Sequence, residues 1–220
     1  MALYSENHTV YTNRDGMEVP SATTILKMLN KPALVHWANY LGFKHQSVDK
    51  VLNESAEIGT DFHDMVSKYT MGEPIDGEHY NDAIYLFKVF QKWSEEVEFK
   101  PVFSEESLVT DKFGGTIDAL CFIKGKLTVL DFKTSKNIYP SMFLQLAAYG
   151  ILIRDNLPET YEKIEQFGIL SNSIKNGVQT KFMSKKDVEK KIFPVFESLV
   201  ETFHLWFNLN LEEFNENITR

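Results

Sequence analysis

One cysteine, Cys121, stands among 220 residues. A lone thiol excludes a disulfide framework and a four-cysteine zinc or iron–sulfur centre within the chain, and it fits a reducing compartment. Apolar runs approaching the roughly 20 residues that a bilayer crossing needs are also missing. The opening stretch MALYSENHTVYTNRDG has neither the basic nor the apolar region of a signal peptide, so an intracellular, cytoplasmic protein without a membrane partner is expected. A phosphate loop is lacking, since Gly125-Lys126 has no upstream glycine at the required spacing, and no ATP site is expected.

Positive charge is scarce as well. The chain has 23 Lys and Arg against 31 Asp and Glu, a formal net charge of −8, which argues against a protein that coats nucleic acid. The distribution says more than the total. Residues 51–110 hold thirteen acids and four lysines, whereas 175–191 holds Lys175, Lys181, Lys185, Lys186, Lys190 and Lys191 against Asp187 and Glu189. A basic patch beside an acidic site suits an enzyme that handles phosphodiesters; the same lysines equally suit a solvated helix face.

What is present is a mixed order of elements. TVYTNRDGMEVP reads as a short strand or hairpin turning at Asn13–Gly16, and Ser21 caps a helix ATTILKMLN that ends before Pro32. Apolar residues at helical spacing predict helices over 33–44, 47–70 and 80–98. Alternating and β-branched runs predict strands over 101–109, 116–123 and 127–134. Pro140 suits the first turn of a helix through SMFLQLAAYGILIR. FGILSNS and GVQTKFM form two more strands around Lys175-Asn176-Gly177, and Ser184 with Asp187 starts a last helix, interrupted or bent at Pro194. The expected fold is α/β (α+β): a central mixed sheet flanked by helices, one domain over 1–220, with a mostly helical part over 1–98 and the sheet and its helices over 99–220.

The chemistry concentrates in the stretch GGTIDALCFIKGKLTVLDFKTSK, Gly114 to Lys136. With a two-residue Lys124-Gly125 turn, Ile123 pairs with Lys126, and counting back sets Asp118 opposite Asp131. Lys133 then shares a face with Asp131. Facing carboxylates repel, so a compensating cation bound by oxygen ligands is expected.

These residues resemble the catalytic core of the PD-(D/E)XK nucleases, and the surrounding motifs resemble the RecB-like exonuclease branch. GGTID is similar to its glycine–small–hydrophobic–aspartate motif, VLDFKTSK to its aspartate–x–lysine–threonine strand, and QLAAYG, with Gln145 and Tyr149, to its glutamine–x–x–x–tyrosine helix. GTDFH, ending in His63, resembles the upstream histidine motif, and SEESL resembles the acidic strand that precedes the hairpin. The five lie in the family's order over 59–150, and VPSATTIL resembles N-terminal regions of phage and organellar members. The resemblance is to small stand-alone members, because this chain has no cluster cysteines and no ATP site.

The resemblance implies a restriction-endonuclease-like core and a Mg2+ or Mn2+ site held by Asp118, Asp131, His63 and the backbone of Phe132. It implies catalytic roles for Asp118, Asp131, Lys133, Glu105, His63, Gln145 and Tyr149. Strand alternation lets only one of Glu105 and Glu106 face the site, and motif spacing favours Glu105. Lys133 is expected to orient water or stabilise charge rather than to act as base, since nearby carboxylates raise its pKa. Gln145 and Tyr149, four apart, share a helix face. Thr134, Ser135, Lys185 and Lys186 are expected substrate contacts, although turn capping also explains Thr134 and Ser135. The expected activity is metal-dependent DNA hydrolysis from ends, in recombination, repair or replication. DNA is the expected partner, joined by a recombinase or single-strand-binding protein, in the host cytoplasm if the gene is a phage's. A structure-specific endonuclease with the same site, or a DNA-binding scaffold with a vestigial site, are the alternatives.

Overall fold

The computed structural model describes residues 11–29 and 32–217; the expected strand start at Thr9 and Val10 and the end of the first helix at Asn30 lie outside them. A small hairpin comes first, β1 (Tyr11–Thr12) and β2 (Glu18–Val19), with Asn13 Oδ1 accepting from the Asp15 and Met17 amides across its turn. Helices α1 (Ala22–Leu26), α2 (Pro32–Phe43), α3 (Val48–Met71) and α4 (Asn81–Glu96) follow. Three strands come next: β3 (Lys100–Val109), β4 (Gly114–Ile123) and β5 (Lys126–Lys133). Then come α5 (Pro140–Asn156), α6 (Pro158–Lys163), β6 (Gln166–Ser173), β7 (Gly177–Ser184), α7 (Lys185–Lys191) and α8 (Phe193–Asn217).

The large sheet has five strands in the order β3-β4-β5-β6-β7, antiparallel except for the parallel pair β5–β6, which α5 and α6 connect. It is the mixed sheet between helices that the sequence predicts. Lys124 (φ 48) and Gly125 (φ 80) are both left-handed, as a two-residue hairpin turn of the right twist requires. The turn pairs Ile123 with Lys126, and the ladder continues in the expected register as far as Ala119 with Leu130, the residues next to Asp118 and Asp131.

Both faces of the sheet are covered, so β4, β5 and β6 are buried along almost their whole length, polar residues included. On one face Ile117, Leu120, Val129, Phe167 and Ile169 pack against Ile25 of α1, Leu146 and Leu152 of α5 and Phe196 of α8. On the other, Ala119, Cys121, Leu130, Phe132 and Leu170 meet Phe62 and Met65 of α3 and Leu86 and Phe90 of α4. The β1–β2 hairpin closes on the start of β4. The Gly114 amide donates to Pro20 O at 2.9 Å, and the Tyr11 hydroxyl shares a 2.9 Å hydrogen bond with Thr116. A Cβ at Gly114 would lie 2.2 Å from Tyr11 Cγ, so only glycine allows this approach.

Several boundaries differ from the expectation for identifiable reasons. Helix α1 is a single turn and a half, capped by Ser21 as predicted and closed by short-range bonds from Lys27 and Met28. The short α6 was not anticipated; Pro158 begins it, where a missing N–H costs nothing. The last helical stretch is interrupted, one of the two expectations, with the break at Ile192 and Pro194 in the first turn of α8. Among the described residues no helix is long and apolar enough to cross a membrane.

Candidate active site

The end of the sheet where β5 finishes collects side chains from five elements. His63 comes from α3, Glu105 from β3, Asp118 from β4, Asp131 and Lys133 from β5, and Gln145 and Tyr149 from α5. Strand alternation turns Phe132 into the α3–α4 core while Asp131 and Lys133 face α5. Burial of Phe132 against Phe62 and Phe90 thereby fixes the orientation of its polar neighbours.

Asp118 is the best-tethered group. One carboxylate oxygen accepts from the Phe132 amide at 2.8 Å and the other from the Tyr149 hydroxyl at 2.8 Å. The Gln145 amide donates to that hydroxyl at 2.7 Å, so the Gln145–Tyr149 pair works as a relay onto Asp118. Ser104 Oγ donates to the Asp118 carbonyl at 2.8 Å and holds the backbone from the other side. Burial, reinforced by the two aspartates, pushes the Tyr149 pKa well above its ordinary value, which keeps the phenol a donor.

Asp131 is fully buried, and its Oδ1 accepts from Lys133 Nζ at 2.7 Å. Its Oδ2 has no hydrogen-bond partner among the described residues. Burial raises the Asp131 pKa from 3.8 to about 7; Lys133 opposes the rise and repulsion from Asp118 adds to it. Burial alone would lower the Lys133 pKa, but Asp131 and Asp118 outweigh it and the net shift is upward. In this arrangement Lys133 donates to Asp131, and the upward shift favours its charged form.

His63 stands between the strands and α3. Its Nδ1 lies 3.5 Å from Glu105 Oε1 and 3.8 Å from Asp118 Oδ2, and its Nε2 lies 3.2 Å from the Phe132 carbonyl. Burial opposes protonation, yet Asp118 and Glu105 outweigh it and raise the His63 pKa. Glu105 occupies a left-handed backbone position, φ 52, which costs a non-glycine residue about 1 kcal/mol or more. Its neighbour Glu106 pairs with Ile117 and is exposed.

These donors fit a divalent cation. His63, Glu105 and Asp118 each offer a ligand atom within 4.8 Å of the others. The unpartnered Asp131 Oδ2 and the Phe132 carbonyl add hard oxygens beside them. Carboxylate and carbonyl oxygens with one imidazole suit Mg2+ or Mn2+. Glu105, expected only as a catalytic group, joins the cluster, while Asp131, an expected ligand, is not one of these three residues and lies beside Lys133.

The remaining expected contacts separate. Thr134 sits at the site's rim, with its Oγ1 3.3 Å from where a Cβ on Gly59 would be, so glycine lets α3 approach β5. The Ser135 hydroxyl is engaged in its own loop, donating to Asn137 O at 2.8 Å and pairing with Ser171 at 2.9 Å. Lys185 and Lys186 are not at the site. They follow the end of β7 that pairs with Gln166, at the opposite end of the sheet from Lys133 and Ser171. Lys185 Nζ donates to the Tyr161 carbonyl at 2.8 Å and lies over the Tyr161 ring. The basic run is contiguous in sequence, but an antiparallel strand carries its two halves to opposite ends.

Sequence reasoning missed Ser104 and Ser171. No local pattern marks them, because their contacts depend on which strands pair. No family model matches this chain, and no curated protein matches it. Solved structures do. An alkaline exonuclease (LHK-Exo) from Laribacter hongkongensis is similar at a TM-score of 0.42 and 10% identity, covering 91% of this chain and 93% of that one. A candidate exonuclease from Eubacterium rectale is similar at a TM-score of 0.37 and 14% identity, covering 67% of this chain and 68% of that one.

Proposed function

We propose that this protein is a divalent-metal-dependent deoxyribonuclease that hydrolyses phosphodiester bonds from DNA ends. The observation that carries the reading is one cluster of charge at the end of the sheet. The His63, Glu105 and Asp118 ligand atoms lie within 4.8 Å of one another, and the buried Asp131 carboxylate accepts from Lys133 on the neighbouring strand. Without a cation, that crowding of carboxylates is costly.

His63, Glu105, Asp118, Asp131 and the Phe132 carbonyl would hold the ion, which when bound acidifies water and offsets charge on phosphoryl oxygens. The chain's own residues do the rest. Tyr149 and the Phe132 amide hold both oxygens of Asp118, so its carboxylate keeps one orientation. Gln145 fixes the Tyr149 hydroxyl. Hydrolysis forms a bond from the water oxygen to phosphorus and breaks one P–O ester bond. The Lys133 ammonium, which donates to Asp131 here, would donate to a non-bridging phosphate oxygen as negative charge builds there.

Purified protein is incubated with end-labelled linear single-stranded DNA, linear duplex and circular single strand, in EDTA, Mg2+ and Mn2+, with Asp118→Asn in parallel. Degradation of linear DNA that needs metal and Asp118 and spares the circle is the expected result. Cleavage of the circle would make the enzyme an endonuclease. No metal-dependent degradation of any substrate would overturn the reading.

A further inference from the structure

The sheet end that carries Lys133 is bordered by two segments without a single acid. From Phe132 to Arg154 and from Gln166 to Lys186 there is no Asp or Glu, in a chain that has 31. The fold lays these segments side by side. β5 and β6 run parallel, the Ser171 hydroxyl donates to the Ser135 carbonyl at 2.6 Å, and Asn176 Nδ2 donates to the Lys136 carbonyl at 2.8 Å. The loop after β5 and the β6–β7 turn are thus clamped into one surface.

Three lysines stand on it: Lys136 in the loop, Lys175 in the turn and Lys181 on the edge strand β7, all exposed. No ion pair among the described residues involves any of them. Register links them to the site. Lys133, Ser171 and Gln179 form one row across β5, β6 and β7, and Asp131, Ile169 and Lys181 form the next. Strands lie about 4.8 Å apart, so Lys181 is about 10 Å from the Asp131 position on the same face. The apolar residues of α3 and α4 pack on the other side of the sheet, and the two segments that form this surface carry lysines and no acid.

We propose that Lys136, Lys175 and Lys181 are a track for the phosphodiester backbone of the nucleic-acid strand held at the site. The track rests on the nuclease reading and names the substrate contacts that Lys185 and Lys186 do not make. At the far end of the sheet Lys185 is occupied by Tyr161 and Glu162, and Lys191 by Asp187. Lysine suits a backbone because it contacts phosphate as a point charge whatever the base.

The test is fluorescence-anisotropy binding of labelled oligothymidine, and of a duplex, across a salt series in EDTA. Three proteins are compared: wild type, Lys136→Gln/Lys175→Gln/Lys181→Gln, and Lys185→Gln/Lys186→Gln. Each lost phosphate contact lowers the slope of log affinity against log salt by about 0.7 for single strands and about 0.9 for duplex. The triple variant is expected to lose roughly 2 from the single-strand slope, and the far-end pair to keep the wild-type slope. Lys175→Glu alone, in an exposed turn, is expected to weaken binding if the triple variant melts early. A wild-type slope in the triple variant and unweakened binding by Lys175→Glu overturn the track and leave the nuclease reading standing. Failure of wild type to bind either nucleic acid at low salt overturns both.

Discussion

The Tyr149 hydroxyl donates to Asp118 across 2.8 Å, linking a helix to a strand 31 residues away. The bond keeps a site carboxylate oriented without adding charge. Tyr149→Phe removes the donor and leaves a buried acceptor short of a partner, a loss of about 1–3 kcal/mol. Urea unfolding in EDTA should show that loss. Single-turnover cleavage should slow more than DNA affinity falls, because orientation matters most in the transition state. Wild-type values on both measurements would reduce Tyr149 to packing.

Stability of the metal-free protein should fall as pH rises through the range where Asp131 ionises. The folded-state pKa of about 7 lies above the ordinary 3.8, so the native state holds the proton more tightly than the unfolded chain. Stability contributed by that proton is full below about 4 and is lost progressively up to about 7, by at most about 4 kcal/mol. His63, also raised, adds a loss of the same sign as pH climbs above its unfolded value of 6.5. Asp131→Asn should flatten the lower part of this curve and stabilise the metal-free protein at neutral pH. A wild-type profile in the mutant, by urea titration in EDTA from pH 4.5 to 8, would contradict the assignment.

Glu105 separates backbone strain from charge. Glu105→Gly relieves the φ 52 conformation, whereas Glu105→Gln keeps it, and both remove the carboxylate. Glycine there also loosens the unfolded chain, so the net gain over glutamine is about 1 kcal/mol at most. Both variants should lose metal-dependent cleavage, and calorimetry with Mn2+ should show weakened binding in both. Cleavage retained by Glu105→Gln would place Glu105 outside the metal site.

For Lys133, the kinetic signature is specific. Lys133→Gln should lower the saturated single-turnover rate by about a hundredfold or more, the scale for one preorganised donor. DNA affinity should change far less. A variant that cuts at the wild-type rate once saturated would make Lys133 a binding residue.

The sheet's hairpin was readable because its signals are local: β-branched runs, a turn glycine and a period of two place Asp118, Asp131 and Lys133 on one side. Gln145 and Tyr149 stood out through the resemblance of QLAAYG to a glutamine–x–x–x–tyrosine helix, and their spacing of four put them on one helix face. Lys185 and Lys186 misled because the sequence shows charge but not strand direction, and β7 runs away from the site. Ser104 and Ser171 act through pairings whose partners are 14 and 36 residues away, with nothing nearby to announce them. Glu105's left-handed backbone was equally silent, since no glycine or asparagine marks it.

The contact between Tyr11 and Gly114 offers a wedge. A methyl group at position 114 has no room while the N-terminal hairpin is seated, and even the Tyr11 Cβ lies only 2.5 Å from it. Gly114→Ala is therefore expected to loosen the hairpin from β4 without shortening the chain. What the seated hairpin contributes to the protein can then be read from the effect of one methyl group.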